Sequence, residues 1–188
     1  KLPLATLSPK ERGDLLEKKN RDVVEETTGE KTYDPDPGET IAGKKRGRNS
    51  APFDFYLGDG RQRVEVKSAQ LRWNKCDKRW FASFQGVKQA EYDLLYLALY
   101  TPSGIYVFKH NHEYGKTTNG KQQESCGGNI KVAGPRNQES IEEATKAVLR
   151  TMGSMHVKTI KYDEFFNKYY SRFTNPFSFS FSFLTSSR

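Results

Sequence analysis

The first periodic stretch runs over residues 8–28, where Gly13, Leu16, Asn20, Val23 and Val24 fall on one arc at helical spacing. Ser8-Pro9-Lys10-Glu11 combines an N-cap serine, a proline at the first helical position and a glutamate three residues after the cap. Together these form a capping box, and Gly29 supplies a stop. From 33 to 51 the pattern dissolves into Asp34-Pro35-Asp36-Pro37-Gly38 and GKKRGRNS, which predict a loop. The period then changes to two. Pro52–Leu57 and Gln62–Ala69 alternate around Asp59-Gly60, a dipeptide suited to a type I′ hairpin turn. Trp80–Phe84 predicts a third strand, and the apolar runs Leu94–Tyr100 and Ile105–Phe108 predict two buried strands around Pro102-Ser103-Gly104. Residues 111–138, rich in Gly, Asn and Gln, read as a loop long enough to suggest a function. Glu139–Met152 and Tyr162–Tyr170 read as helices. Phe177, Phe179, Phe181 and Phe183 alternate with serines and would line one face of a strand that closes the sheet or pairs with a second subunit.

The hairpin carries candidate chemistry. With Asp59-Gly60 as a two-residue turn, cross-strand partners have numbers summing to 119, so Phe55 faces Val64 and Phe53 faces Val66 on an apolar side. On the other side Asp54 falls opposite Glu65, and Lys67 shares that face. Directly opposed residues have Cβ atoms about 4.5–5.5 Å apart, where like charges destabilise the pair. Two carboxylates so placed call for a cation or a shared proton, and oxygen ligands in basic surroundings suit Mg²⁺. Such an ion would serve phosphodiester hydrolysis. It would polarise the phosphate and acidify a water, while Lys67 orients or deprotonates that water and offsets developing charge. Glu17-Lys18-Lys19 repeats the Glu-x-Lys spacing on the predicted helix. The strand setting and the facing aspartate, rather than the spacing, therefore carry the inference; the plain alternative is a solvated charged hairpin face.

Charge distribution sharpens this picture. The formal net charge is +8, and residues 44–80 hold eleven Lys and Arg against four acids, a net +7 that leaves +1 for the rest. The cations are Lys44, Lys45, Arg46, Arg48, Arg61, Arg63, Lys67, Arg72, Lys75, Lys78 and Arg79. Such concentration is expected of a surface facing phosphates, although a solvated basic face has the same composition and KKRGR also resembles a nuclear-import tract. Trp73 and Trp80 sit among these cations, Trp73 as a candidate for stacking on bases and Trp80 as a core residue at the start of the third strand.

The 188 residues suit one domain, and 13% aromatic residues suffice for a core. No apolar run approaches the ~18–20 residues of a membrane span. The first residues show no signal-peptide pattern, and Cys76 and Cys126 stand apart without metal-knuckle spacing. The expectation is a non-secreted protein of a reducing compartment, cytoplasmic or nuclear, without membrane contact.

Asp54 in PFDFYL and Glu65-Val66-Lys67 in RVEVKSAQL, with the Gly-Asp…Glu pattern of KERGDLLE, resemble the PD-(D/E)xK nuclease superfamily, and within it the type II restriction endonucleases. The family's Pro-Asp dipeptide is Phe53-Asp54 here. The resemblance implies an α/β fold, a central mixed β-sheet flanked by helices, with a core over about 8–110 and the remainder free for DNA recognition or dimerisation. It implies Asp54, Glu65 and Lys67 as the catalytic set, Glu17 as a further metal ligand and Gln70 as a substrate contact. Mg²⁺ would be the cofactor and double-stranded DNA the substrate. A symmetric homodimer would match a palindromic site, with bases read from 70–88 and 111–138.

His110-Asn111-His112 spells the name of another nuclease motif but lacks its ββα spread, so it reads as a polar loop. No Gly-rich loop with Lys-Ser/Thr supports a nucleotide cofactor. A non-catalytic DNA-binding module on the same fold and a nuclease acting on junctions or flaps stand as the alternatives.

Overall fold

A computed structural model describes residues 4, 7–36, 40–41, 44–45, 52–113 and 128–170. The Phe-Ser tail, Arg46, Arg48 and Cys126 lie outside the described residues. Helix α1 spans Pro9–Thr28 with both predicted ends in place. Ser8 Oγ accepts from the Glu11 N–H at 3.2 Å, while the Glu11 carboxylate accepts from the Ser8 N–H at 2.9 Å. Gly29 closes the helix in the left-handed region (φ 74°), its N–H donating to the Glu25 carbonyl at 2.9 Å. The buried face is Leu16, Lys19, Asn20, Val23 and Val24. Lys19 is the departure from the predicted arc: only 3% exposed, its ammonium lies 3.8 Å from Glu164 of a later helix.

Three two-residue strands precede the hairpin region: β1 (Thr32–Tyr33), β2 (Thr40–Ile41) and β3 (Lys44–Lys45). The latter two pair with each other inside the predicted loop. Strands β4 (Phe55–Leu57) and β5 (Gln62–Gln70) form the predicted hairpin, and Phe55↔Val64, Tyr56↔Arg63 and Leu57↔Gln62 keep the expected register. The turn chemistry differs. Gly58 (φ 65°) and Arg61 (φ 49°) adopt positive φ instead of Asp59 and Gly60, and the Arg61 N–H closes on the Gly58 carbonyl at 3.0 Å. A four-residue turn thus replaces the type I′ dipeptide without altering the register sum.

Strands β6 (Arg72–Asn74) and β7 (Arg79–Val87) are followed by a 3₁₀ turn at Gln89–Glu91, then β8 (Leu94–Thr101) and β9 (Gly104–Lys109). The predicted third strand is the first half of β7. Within the expected 111–138 loop, Gly128–Ala133 forms β10, a correction explained by Ile130 and Val132, which enter the core. Helix α2 (Ile141–Met152) starts at an N-cap Ser140, β11 (His156–Ile160) was not foreseen, and α3 spans Tyr162–Tyr170 as expected.

The central sheet is mixed and six-stranded, ordered β1-β4-β5-β8-β9-β11. Among the described strands only β5 and β8 run parallel, and the β6–β7 hairpin and the 3₁₀ turn provide the crossover such a pair requires. A second antiparallel sheet has the order β10-β7-β6. Alternation along β8 separates two cores. Tyr96, Ala98 and Tyr100 pack with Leu16, Val23 and Val24 of α1 and Phe165 of α3. Leu95, Leu97 and Leu99 pack with Ala82, Phe84, Ile130 and Val132 of the second sheet and Val148 and Met152 of α2. Strand β8 is covered on both faces, which explains its unbroken apolar run. Beyond the expected 8–110 core, the sheet takes its sixth strand from β11 and the packing takes α2 and α3. Among the described residues no helix is long and apolar enough to cross a membrane.

Candidate active site

Asp54 sits where the β4–β5 ladder breaks. Its N–H donates to the Val64 carbonyl at 3.0 Å, although Val64 is the partner of Phe55, so the pairing slips by one residue. Its Oδ2 accepts the Val66 N–H at 2.7 Å, taking the place of a ladder bond. The slip corrects two expectations. Asp54 is not the simple cross-strand partner of Glu65, and Phe53 joins the core of Leu95 and Leu97 while Val66 packs on the α1 side.

Glu65 and Lys67 do share a face, as expected from alternation, and form an ion pair between Glu65 Oε1 and Lys67 Nζ. Their neighbours on β8 are Leu95 and Leu97, which accounts for Glu65 being only 7% exposed. Burial pushes its carboxyl up to about 7, the Asp54 charge adds to the rise, and Lys67 opposes it. Asp54 is also raised, by burial, against the Val66 N–H, Lys67 and Arg21. The buried Tyr92 phenol, which feels the Glu65 charge, is pushed up to about 12, chiefly by burial, and stays neutral.

Glu17 approaches Asp54 from α1. Both line a cavity of about 210 Å³ with Gly13, Asp14, Val66 and Ser68. Burial raises the Glu17 carboxyl, Asp54 raises it further, and Arg21 lowers it. Val66 and Ser68 face α1 while Glu65 and Lys67 face the second sheet, so Asp54 lies between Glu17 and Glu65. Among the described residues no three His, Cys, Asp or Glu side chains are gathered into one metal-binding group.

Arg21 organises this region and was not singled out from the sequence. Its guanidinium meets Glu17 at 3.3 Å, the Asp54 carbonyl at 3.1 Å and Asp34 at 2.6 Å, and lies 4.7 Å from the Phe55 ring centroid. The i,i+4 spacing of Glu17 and Arg21 was its one local signal.

The remaining predicted DNA contacts divide by position. Arg63 is committed to Asp93, with Nη2–Oδ1 at 2.7 Å and Nε–Oδ2 at 3.1 Å, and ties the start of β5 to the approach to β8. Arg61 pairs with Asp36 at 3.3 Å at the hairpin tip. Lys44 and Lys45 form β3. Trp73 and Trp80 meet edge to face at 5.6 Å on paired strands, and Trp80 packs on the core with its Nε1 donating to the Glu139 carbonyl at 2.9 Å. Lys75 and Lys78 are exposed at the β6–β7 turn, and Arg79 lies 3.8 Å from Asp77. Gln70 and Arg72 line a second cavity of about 360 Å³ that also includes Lys67.

His110-Asn111-His112 follows β9 as a local turn, with the His112 N–H on His110 Nδ1 at 3.0 Å and the Glu113 N–H on Asn111 Oδ1 at 3.1 Å. No family model, curated protein or solved structure matches this chain.

Proposed function

We propose that the chain is a Mg²⁺-dependent endodeoxyribonuclease that cuts double-stranded DNA at specific sequences, like the type II restriction endonucleases of the PD-(D/E)xK superfamily it resembles. The observation that carries this reading is the Glu65–Lys67 ion pair beside the Asp54 carboxylate, at one end of a groove lined by cations and amides. The donor set suits a hard cation. Both acids are pushed upward by burial and Glu65 also by repulsion from Asp54, and a divalent ion relieves both penalties.

Asp54 and Glu65 would hold the ion; Glu17 lines the α1-side cavity with Asp54 but is not gathered with both acids into one group among the described residues. When bound, Mg²⁺ supplies Lewis-acid polarisation of the scissile phosphate and a lowered pKa for a neighbouring water. Lys67 orients the attacking water and places positive charge against the phosphate oxygens as negative charge accumulates. Glu65 holds the Lys67 ammonium in position. Two copies of the chain would present two such sites to a palindromic sequence.

The test is incubation of long duplex DNA of known sequence with Mg²⁺ or with EDTA, beside a Lys67→Ala variant. A discrete Mg²⁺-dependent ladder, reduced at least about 100-fold in the variant, is the expected outcome. Cleavage of branched DNA alone would replace the site-specific reading with a structure-specific one. Salt-sensitive binding without any cleavage would leave a binding module.

A further inference from the structure

Strand β4 pairs with only Gln62–Val64 of the nine-residue β5, so from Glu65 onward that edge of β5 has no partner strand among the described residues. The Val66 N–H on this edge is taken by Asp54 Oδ2. By the two-residue repeat of a strand, the main-chain groups of Ser68 and Gln70 point the same way. Five consecutive residues, Val66–Gln70, line the 360 Å³ cavity. A groove on one face of a sheet would touch only alternate residues, so this groove follows the edge.

Its other walls come from four elements: Arg12 on α1, Arg72 on β6, Ser83 and Gln85 on β7, and Tyr100 on β8. No acid lines it. Arg12 donates to the Leu4 carbonyl at 3.4 Å and lies 5.8 Å from the Tyr100 ring centroid, and among the described residues it forms no ion pair. The groove shares Val66 and Ser68 with the acidic cavity of Glu17 and Asp54, so an anionic half and a cationic half meet across one strand edge.

We propose that this groove holds the nucleotide next to the scissile phosphate, with its backbone phosphate between Arg12 and Arg72 and the edge of its base on the amides of Gln70 and Gln85. The inference rests on the nuclease reading above. A cavity of this size lies near the lower end of ligand sites, roughly 300–1,000 Å³, with room for one nucleotide and not for a duplex cross-section. Glutamine amides pair with both N6 and N7 of adenine, which makes adenine the preferred base at that position. The guanidinium groups supply phosphate contact without sequence choice.

Two measurements on the full chain test this. In the first, a pool of duplexes randomised in sequence is cut with Mg²⁺ and the ends are sequenced, for wild type, Gln85→Ala and Arg72→Met. Wild type is expected to enrich adenine at one position flanking the cut, Gln85→Ala to flatten that position, and Arg72→Met to slow cutting of all sequences alike by about 10-fold. In the second, a fluorescein-labelled 16-base-pair duplex is titrated in EDTA across a KCl series. Arg12→Met and Arg72→Met are each expected to lower the slope of log affinity against log salt by about 0.9. Arg72 is exposed, so its substitution tests the groove without endangering the fold.

Normal cutting by wild type, with base preference and salt slopes unchanged in the variants, would overturn the groove and leave the nuclease standing. Absence of cutting, with the slopes lowered as expected, would overturn the nuclease and retain the groove as a binding site. Absence of both would remove both.

Discussion

Glu65 is where burial and charge compete most directly. Its carboxyl is pushed up to about 7 in the folded chain, above its ordinary 4.5. Between those values the native state holds a proton that the unfolded chain releases, so stability without metal falls as pH rises from about 5 to 7. Glu65→Gln removes this dependence. Urea unfolding at pH 5 and pH 8 should show wild type losing on the order of 1–3 kcal/mol relative to the variant. A cation site made from this carboxylate binds more tightly as pH rises through the same window, because the ligand must be ionised. Arg21 acts by a different route, linking α1, the Asp34 segment and the Asp54 backbone. Arg21→Met should cost about 1–3 kcal/mol in denaturant unfolding. It should also raise the Glu17 carboxyl further, since the guanidinium now holds it down. An unchanged Glu17 titration, followed by NMR, would refute the electrostatic part of that role.

Individual elements differ in how far neighbouring residues decide them. Helix α1 is closed at both ends by its own sequence, through the Ser8–Glu11 box and the left-handed Gly29. Ser8→Ala should therefore destabilise the protein by about 0.5–2 kcal/mol, measured by thermal or urea unfolding, with no change in the spectrum of the folded state. The β4–β5 register was legible because each residue added on one strand is matched on the other. Its turn type was not, because Gly58 also meets the backbone of Lys31, to whose carbonyl its N–H donates at 2.9 Å. The end of β4 was illegible for a related reason. Alternation continues through Asp54 in the sequence, but the aspartate side chain takes the Val66 N–H and the ladder stops. The short strands β1 and β6 carry too few alternating positions to show a period, and in β10 only Ile130 and Val132 mark one, within a stretch otherwise rich in Gly, Asn and Gln; pairing partners determine them.

At the scale of the whole molecule, the central sheet is held between two apolar clusters. Leu97, fully buried between β5 and β9, lies at the centre of the one shared with the second sheet. Leu97→Ala should cost about 2–5 kcal/mol, read from the midpoint of urea unfolding at unchanged slope. A change below 1 kcal/mol would mean that the two sheets do not share this core.

The amino-acid sequence by itself determined the bounds of α1, the hairpin register, the common face of Glu65 and Lys67, and the concentration of positive charge in 44–80. Each of these follows from spacing rules that act over a turn of helix or a few strand residues. Tertiary structure alone decided that Lys19 is buried against Glu164, that Arg63 is committed to Asp93, and that Arg21 reaches Asp54. It also decided that Arg12, Gln70, Arg72 and Gln85 line one groove. Those contacts join residues brought together only when β5 pairs with β8 and when α1, α3 and the second sheet pack against the central sheet. The physical reason is that a side chain's local pattern specifies which way it points, whereas packing between layers specifies what it meets.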